Sequence, residues 1–278
     1  MTTTALNYWN AIAFTINVIF VFGSQHLKGT KDNATLSKKY QTLVTPSGYA
    51  FGIWGIIYLA EFGFIIAQFN FPATFFVTDI VGYNFIYACF AQSLWAICFG
   101  YEYNTASFIC MTAILGSLVP IVYKIYDSCG ESGDNNHHYS WLWNEFPMEI
   151  HCGWIMAALL VNLNVLLVSY HVSSKVQIIS AYITLGIILF CGTFYPVLIF
   201  FFGRSTSNNN NLSNFVIPCV MAWASIAISK ELNSPNELIV TKFPPGIIDS
   251  IKILSKSIGY FILFCAGISY VKRFVPGN

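Results

Sequence analysis

The chain has 278 residues, of which 56% are hydrophobic, 17% aromatic and only 9% charged, with a formal net charge of +1. Soluble domains carry roughly 25% charged residues, so this composition excludes an ordinary soluble globule, and the near-zero charge gives no footing for nucleic acid. It is that of an all-α, polytopic integral membrane protein.

Eight apolar segments follow in order: residues 6–22, 48–69, 80–101, 106–126, 148–170, 176–202, 215–229 and 257–271. A helix needs about 20 apolar residues to cross a bilayer, which predicts a bundle of about eight transmembrane helices. Residues 1–278 read as a single membrane-embedded domain. Pro120 falls inside the fourth segment and Pro196 inside the sixth, where a kink is expected. If all eight span, one side carries Lys28, Lys31, Lys38, Lys39, Lys175, Lys230, Lys242, Lys252 and Lys256. The other carries Lys124, Arg204, Lys272 and Arg273. The lysine-rich side is then cytoplasmic or matrix-like. The first seven residues lack a basic leader region, so no cleavable signal is expected.

Three connections carry further expectations. Residues 23–45 are basic but hold Leu36, Tyr40 and Leu43, the pattern of a short interfacial helix. Residues 127–147 are acidic and contain His137 and His138. They end in Trp141 and Trp143, expected at the headgroup level. Residues 205–211 form a Ser/Asn tract, read as a loop. Asn33-Ala-Thr35 and Asn211-Leu-Ser213 match the glycosylation triplet, a short pattern of low specificity. Of eight cysteines none forms a CxxC pair, and all but Cys129 lie in apolar segments. They read as small buried hydrophobes, with no metal site.

The informative stretch runs from Thr45 to Glu61, Thr-Pro-Ser-Gly-Tyr-Ala-Phe-Gly-Ile-Trp-Gly-Ile-Ile-Tyr-Leu-Ala-Glu. It opens as a turn with Pro46 suited to a helix start and continues as a span. At 3.6 residues per turn, Trp54, Tyr58, Glu61, Ile65 and Gln68 share a face. A carboxyl at hydrocarbon depth is costly, so Glu61 should point inward and find a partner. It reads either as a hydrogen-bonded packing residue or as a ligand or proton site. Later segments carry Asn84, Gln92 and Trp95, then His151, Trp154 and Asn162, then Trp223. These polar groups either tie helices together or, with the aromatics, line a pocket for a flat, mostly apolar ligand.

The stretch with Pro46, Gly48, Phe51, Trp54 and Tyr58 resembles the signature entering the second helix of the TspO/MBR family, the tryptophan-rich sensory proteins and translocator proteins. Gln92-Ser-Leu-Trp95 is similar to the family's Asn/Gln-x-x-Trp helix, and Gly153-Trp154 with Asn162 and Met221-Ala-Trp223 resemble later helices of longer relatives. The similarity spans about residues 36–229. It implies a non-enzymatic membrane protein that binds or transports a hydrophobic small molecule, tetrapyrrole- or sterol-like. The implied ligand-binding residues are Trp54, Tyr58, Glu61, Asn84, Trp95, Trp154, Asn162 and Trp223, with no catalytic or metal residues. Expected partners are membrane lipids, the small molecule, and a homodimer or larger membrane complex in a mitochondrial or plastid membrane. The alternative is a structural accessory subunit of such a complex, since a fold can outlive its site. A proton-coupled transporter is disfavoured because Glu61 is the single span-centred acid in view.

Overall fold

A computed structural model describes residues 3–70, 74–128, 141–202 and 215–274. Among them every regular element is helical. The pair His137 and His138, Cys129, the tract at 205–211 and the triplet beginning at Asn211 lie outside the described residues. The helices are α1 Ala5–Gly23, α2 Asn33–Lys39, α3 Ile53–Asn70, α4 Asn84–Gly100, α5 Asn104–Ser128, α6 Phe146–Ser169, α7 Ser174–Phe202, α8 Val216–Glu231, α9 Glu237–Lys242 and α10 Pro245–Phe274. A 3-10 turn, Gly48–Gly52, leads into α3, and a π-helical turn, Trp141–Glu145, leads into α6.

The eight predicted segments correspond to α1, α3, α4, α5, α6, α7, α8 and α10. Six of these, all but α4 and α8, are long and apolar enough to cross a membrane. Length and hydropathy among the described residues thus support six of the eight predicted spans. Helices α4 and α8 have 17 and 16 residues, about 25 Å each at 1.5 Å per residue.

The outer surface is apolar and the interior holds the polar groups, the arrangement lipid demands. On α3, Ile56, Leu59, Phe62 and Ile66 face outward while Tyr58, Glu61 and Gln68 are buried. On α1 the buried stripe is Asn7, Asn10, Phe14 and Asn17. Asn7 Nδ2 donates to the Gln68 carbonyl at 2.7 Å, and Gln68 Nε2 returns a bond to the Asn7 carbonyl at 3.0 Å. Asn17 Nδ2 donates to the Cys89 carbonyl at 2.9 Å. These amides tie α1 to α3 and α4; each such bond is worth about 0.6–2 kcal/mol in a membrane.

Two apolar cores flank α6. One joins α1, α3, α4, α5 and α6, around Phe64, Phe85, Ile114 and Leu118. The other joins the start of α3 with α6, α7, α8 and α10, around Ile57, Leu185, Met221 and Ile251. Trp54 packs against both. Helices α8 and α10 meet closely because Gly259 carries no Cβ; an added one would stand 2.5 Å from Ile226 and 3.2 Å from the Ala222 carbonyl.

Connections assigned to the lysine-rich side meet one another. Lys31, Lys39 and Tyr40 bind Glu102, Gln41 Nε2 donates to Glu231 at 2.8 Å, and Thr105 bonds Tyr170 at 2.8 Å. At the other end Lys124 donates to the Asp79 carbonyl at 2.6 Å. Two expectations are corrected here. Residues 33–39 do form a helix, but Leu36 is fully buried; its apolar side enters the protein core rather than the lipid interface. Trp143 is not simply a headgroup anchor either. Its ring lies where a Cβ on Gly63 would stand, 2.5 Å away, so glycine's missing side chain is what receives it.

Candidate functional site

The site is organised by Trp54, which the Gly48–Gly52 turn delivers at the beginning of α3. Its indole stacks on Tyr58 and Trp95, with centroids 5.9 and 6.4 Å apart and planes within 28°. It meets Trp154 and His151 edge-on at 6.3 and 5.9 Å. Trp95 stacks in turn on Phe99 at 5.4 Å, and Phe51 meets Trp154 edge-on at 6.1 Å. Aromatic pairs in such geometries add about 0.5–1.5 kcal/mol each beyond area burial.

Beside this cluster lies a cavity of about 70 Å³. Its walls include Trp54, Trp95, Trp154, Phe51, Phe99 and Asn162. Small-molecule pockets commonly enclose about 300–1,000 Å³, so a flat polycyclic ligand enters only if side chains give way. Asn33 and Ser37 place α2 across one end. Thus Asn33, part of one glycosylation triplet, is a cavity residue, and Thr35 of that triplet is bound through its N–H and hydroxyl to Asp32.

Helix α2 is fastened from outside by Glu102, which accepts from Lys31 at 2.6 Å, from Tyr40 at 2.6 Å and from Lys39. Glu102 sits in the left-handed backbone region, φ 64°, unusual for a residue with a Cβ. Lys31 first, then Lys39 and Tyr40, hold its carboxyl at about 2, below its ordinary 4.5. The tie is therefore intact above about pH 4.5 and lost as pH falls through 2. Exposed ion pairs contribute about 0–1 kcal/mol. Glu102→Gln should speed amide exchange across residues 33–39 up to about fivefold at neutral pH. Exchange unchanged in the variant would show that α2 is held by Leu36 alone.

Beneath Trp54, Glu61 finds its partner in His151: Oε1 lies 2.7 Å from Nδ1, with the side chains 2% and 1% exposed. The sequence places each of them near a Trp on its own helix, yet nothing in either segment says that α3 and α6 face each other here. Tyr58 hydroxyl donates to Asn17 Oδ1 at 3.2 Å and accepts from Gln92 Nε2 at 2.8 Å. The matching signal in sequence was Gln92 in the helix of Trp95.

Of the eight expected site residues, Trp54, Trp95, Trp154 and Asn162 line the cavity. Asn162 Nδ2 donates to Ser107 Oγ at 3.2 Å. Tyr58 and Glu61 lie behind Trp54 instead of in the wall. Asn84 is half-buried as the first residue of α4, a helix whose cavity-lining residues, Trp95 and Phe99, come after its midpoint. Trp223 is 40% exposed, donates from Nε1 to the Ala50 carbonyl at 3.3 Å and meets Tyr49 edge-on at 4.9 Å. Sequence reasoning left out Phe51, Phe99 and the α2 residues Asn33 and Ser37 as cavity walls. It also counted Glu61 as the single intramembrane acid. Glu149 is fully buried too, beside the Trp141 indole and the Tyr126 hydroxyl.

Lipid-facing apolar helices enclosing an aromatic-walled cavity define a helical integral membrane protein whose polar groups are turned inward. The family model described as TSPO-like protein matches residues 6–248. The chain belongs to that family, as the motif around Trp54 implied. No curated protein and no solved structure matches it.

Proposed function

We propose that this TSPO-like protein is a non-enzymatic receptor or carrier for a flat hydrophobic small molecule, of tetrapyrrole or sterol shape, seated among α3, α4 and α6. The observation that carries this is the Trp54 cluster: Trp54, Trp95 and Trp154, from three helices, share one cavity. Packing alone does not require three indoles at one point, since Leu or Phe fills a core without a buried N–H to satisfy. The same reading takes α4 and α8 as further crossings, giving eight, with α2 over the cavity end on the lysine-rich side. The membrane it suggests is that of an energy-transducing organelle.

The test is gentle purification from the native membrane, followed by absorbance and mass spectra. A tetrapyrrole, pigment or sterol at near-equal stoichiometry is the expected result. A ligand-free chain arriving with a fixed set of partner proteins would turn the reading towards an accessory subunit.

A further inference from the structure

Helices α4 and α5 form the most extensive helix pairing among the described residues, an antiparallel hairpin closed by residues 101–103. Close to that closure two thiols meet. Cys98 lies in the last turn of α4 and Cys110 in the second turn of α5, and their side chains stand in hydrogen-bond contact. Both are partly exposed, and Cys98 is one turn from the exposed Tyr101 at the lysine-rich end. Cys89 and Cys152, by contrast, are sealed in the core at 2% and 1% exposure. Cys152 has Cys191 near it, but its burial keeps reagents away. A single cysteine packs as a small hydrophobe. Two in contact can also be oxidised together, because the second thiol displaces whatever the first has bonded. Each of these two precedes a wall of the cavity: Phe99 follows Cys98, and Met111 follows Cys110.

We propose that Cys98 and Cys110 are a reversible redox pair whose disulfide staples α4 to α5 beside the cavity. The oxidant is a small disulfide of the glutathione class. The Cys98 thiol gives its proton to water, and its thiolate attacks one sulfur of oxidised glutathione. That S–S bond breaks, one glutathione leaves as thiolate, and a mixed disulfide remains on Cys98. The Cys110 thiolate then attacks Cys98 Sγ, and the second glutathione leaves. The pair has lost two electrons and two protons, and the reagent has gained both as two thiols; reduced glutathione reverses each step. The bond adds a covalent constraint where the hairpin closes. A flat ligand enters this cavity only if side chains give way, so a staple beside Phe99 and Met111 slows entry and exit. That last consequence rests on the cavity being a ligand site; the staple itself does not.

The test equilibrates the full chain in lipid nanodiscs with reduced or oxidised glutathione, denatures it in maleimide to block free thiols, and maps the peptides by mass. A linked Cys98–Cys110 peptide is expected in at least about nine-tenths of chains in oxidised glutathione and in fewer than about a tenth in reduced glutathione. Amide exchange across residues 101–104 should slow severalfold on oxidation. Cys98→Ser and Cys110→Ser should each abolish the linked peptide and the slowing, leaving a glutathione adduct on the remaining thiol. The comparison of redox states in the unaltered chain stands even where a variant folds poorly. Separate glutathione adducts without a link, a link from either thiol to another cysteine, or a link that reduced glutathione does not open overturns the pair. The cavity consequence is read from the rate of binding of pyrenebutyrate, a flat hydrophobic probe, by energy transfer from tryptophan. A severalfold slower rate in the oxidised chain supports it, and an equal rate overturns it while the pair stands. No saturable binding in either state overturns the cavity reading and leaves the redox pair intact.

Discussion

His151→Phe should destabilise the protein by about 3–5 kcal/mol, because it strands a buried carboxyl. Glu61 and His151 are almost without exposure and 2.7 Å apart. In lipid-depth surroundings neither can recover water when its partner is removed. Glu61→Leu should cost a comparable amount, since His151 would then have both ring nitrogens unmatched. The paired change Glu61→Leu/His151→Phe should lose much less than the sum, for buried ion pairs are often replaceable by apolar residues of similar volume. The measurement is a double-mutant cycle on thermal or denaturant unfolding in a fixed detergent. Additive single effects would mean that the pair is a proximity without coupling.

Trp54→Ala should cost about 3–5 kcal/mol in stability, the range for removing a large aromatic from a core, and should abolish saturable ligand binding. Trp54 touches four rings, Tyr58, Trp95, His151 and Trp154, and packs on both apolar cores. Its removal takes away the ring against which Tyr58, Trp95, His151 and Trp154 pack and lets Trp95 and Trp154 collapse inward. Trp54→Phe keeps a flat ring on Tyr58 and should retain most of the stability with weakened binding. Unfolding is read in detergent, and binding by tryptophan quenching with the native ligand or pyrenebutyrate. Unaltered affinity in a folded Trp54→Ala chain would remove the cavity from the function.

Much of this was legible in the chain. Apolar runs placed most of the spans within a few residues, though the last helix begins at Pro245 and not at 257, and the inward turn of Glu61 followed from the cost of a carboxyl in hydrocarbon. The motif from Pro46 to Tyr58 gave the family, and Trp54, Trp95 and Trp154 converge as expected. What stayed hidden depends on which faces meet. Glu61 and His151 are 90 positions apart, and periodicity within one helix carries nothing about its neighbour. Trp223 has the right residue type on the wrong side of α8, where neighbouring Ala222 and Ala224 take the buried face. Leu36 and Trp143 misled for a common reason: an apolar residue in a polar connection reads as a lipid anchor, whereas here each enters the protein. Helix α4 is shorter than its predicted segment because the chain turns at Gly82, where φ is 52°, and the helix begins only at Asn84.

The asparagine stripe of α1 bears on how the protein is made. Helix α1 leaves the ribosome before α3 and α4, and its buried side is Asn7, Asn10 and Asn17 with Phe14. The groups that answer these amides lie on α3 and α4, at Gln68, Cys89 and Gln92. Until both helices have been synthesised, the amides of α1 face hydrocarbon or the insertion machinery unmatched. Helix α1 is thus fixed only after α3 and α4 arrive. Its docking becomes the step at which a chain faulty in α3 or α4 is distinguished from a sound one during biogenesis.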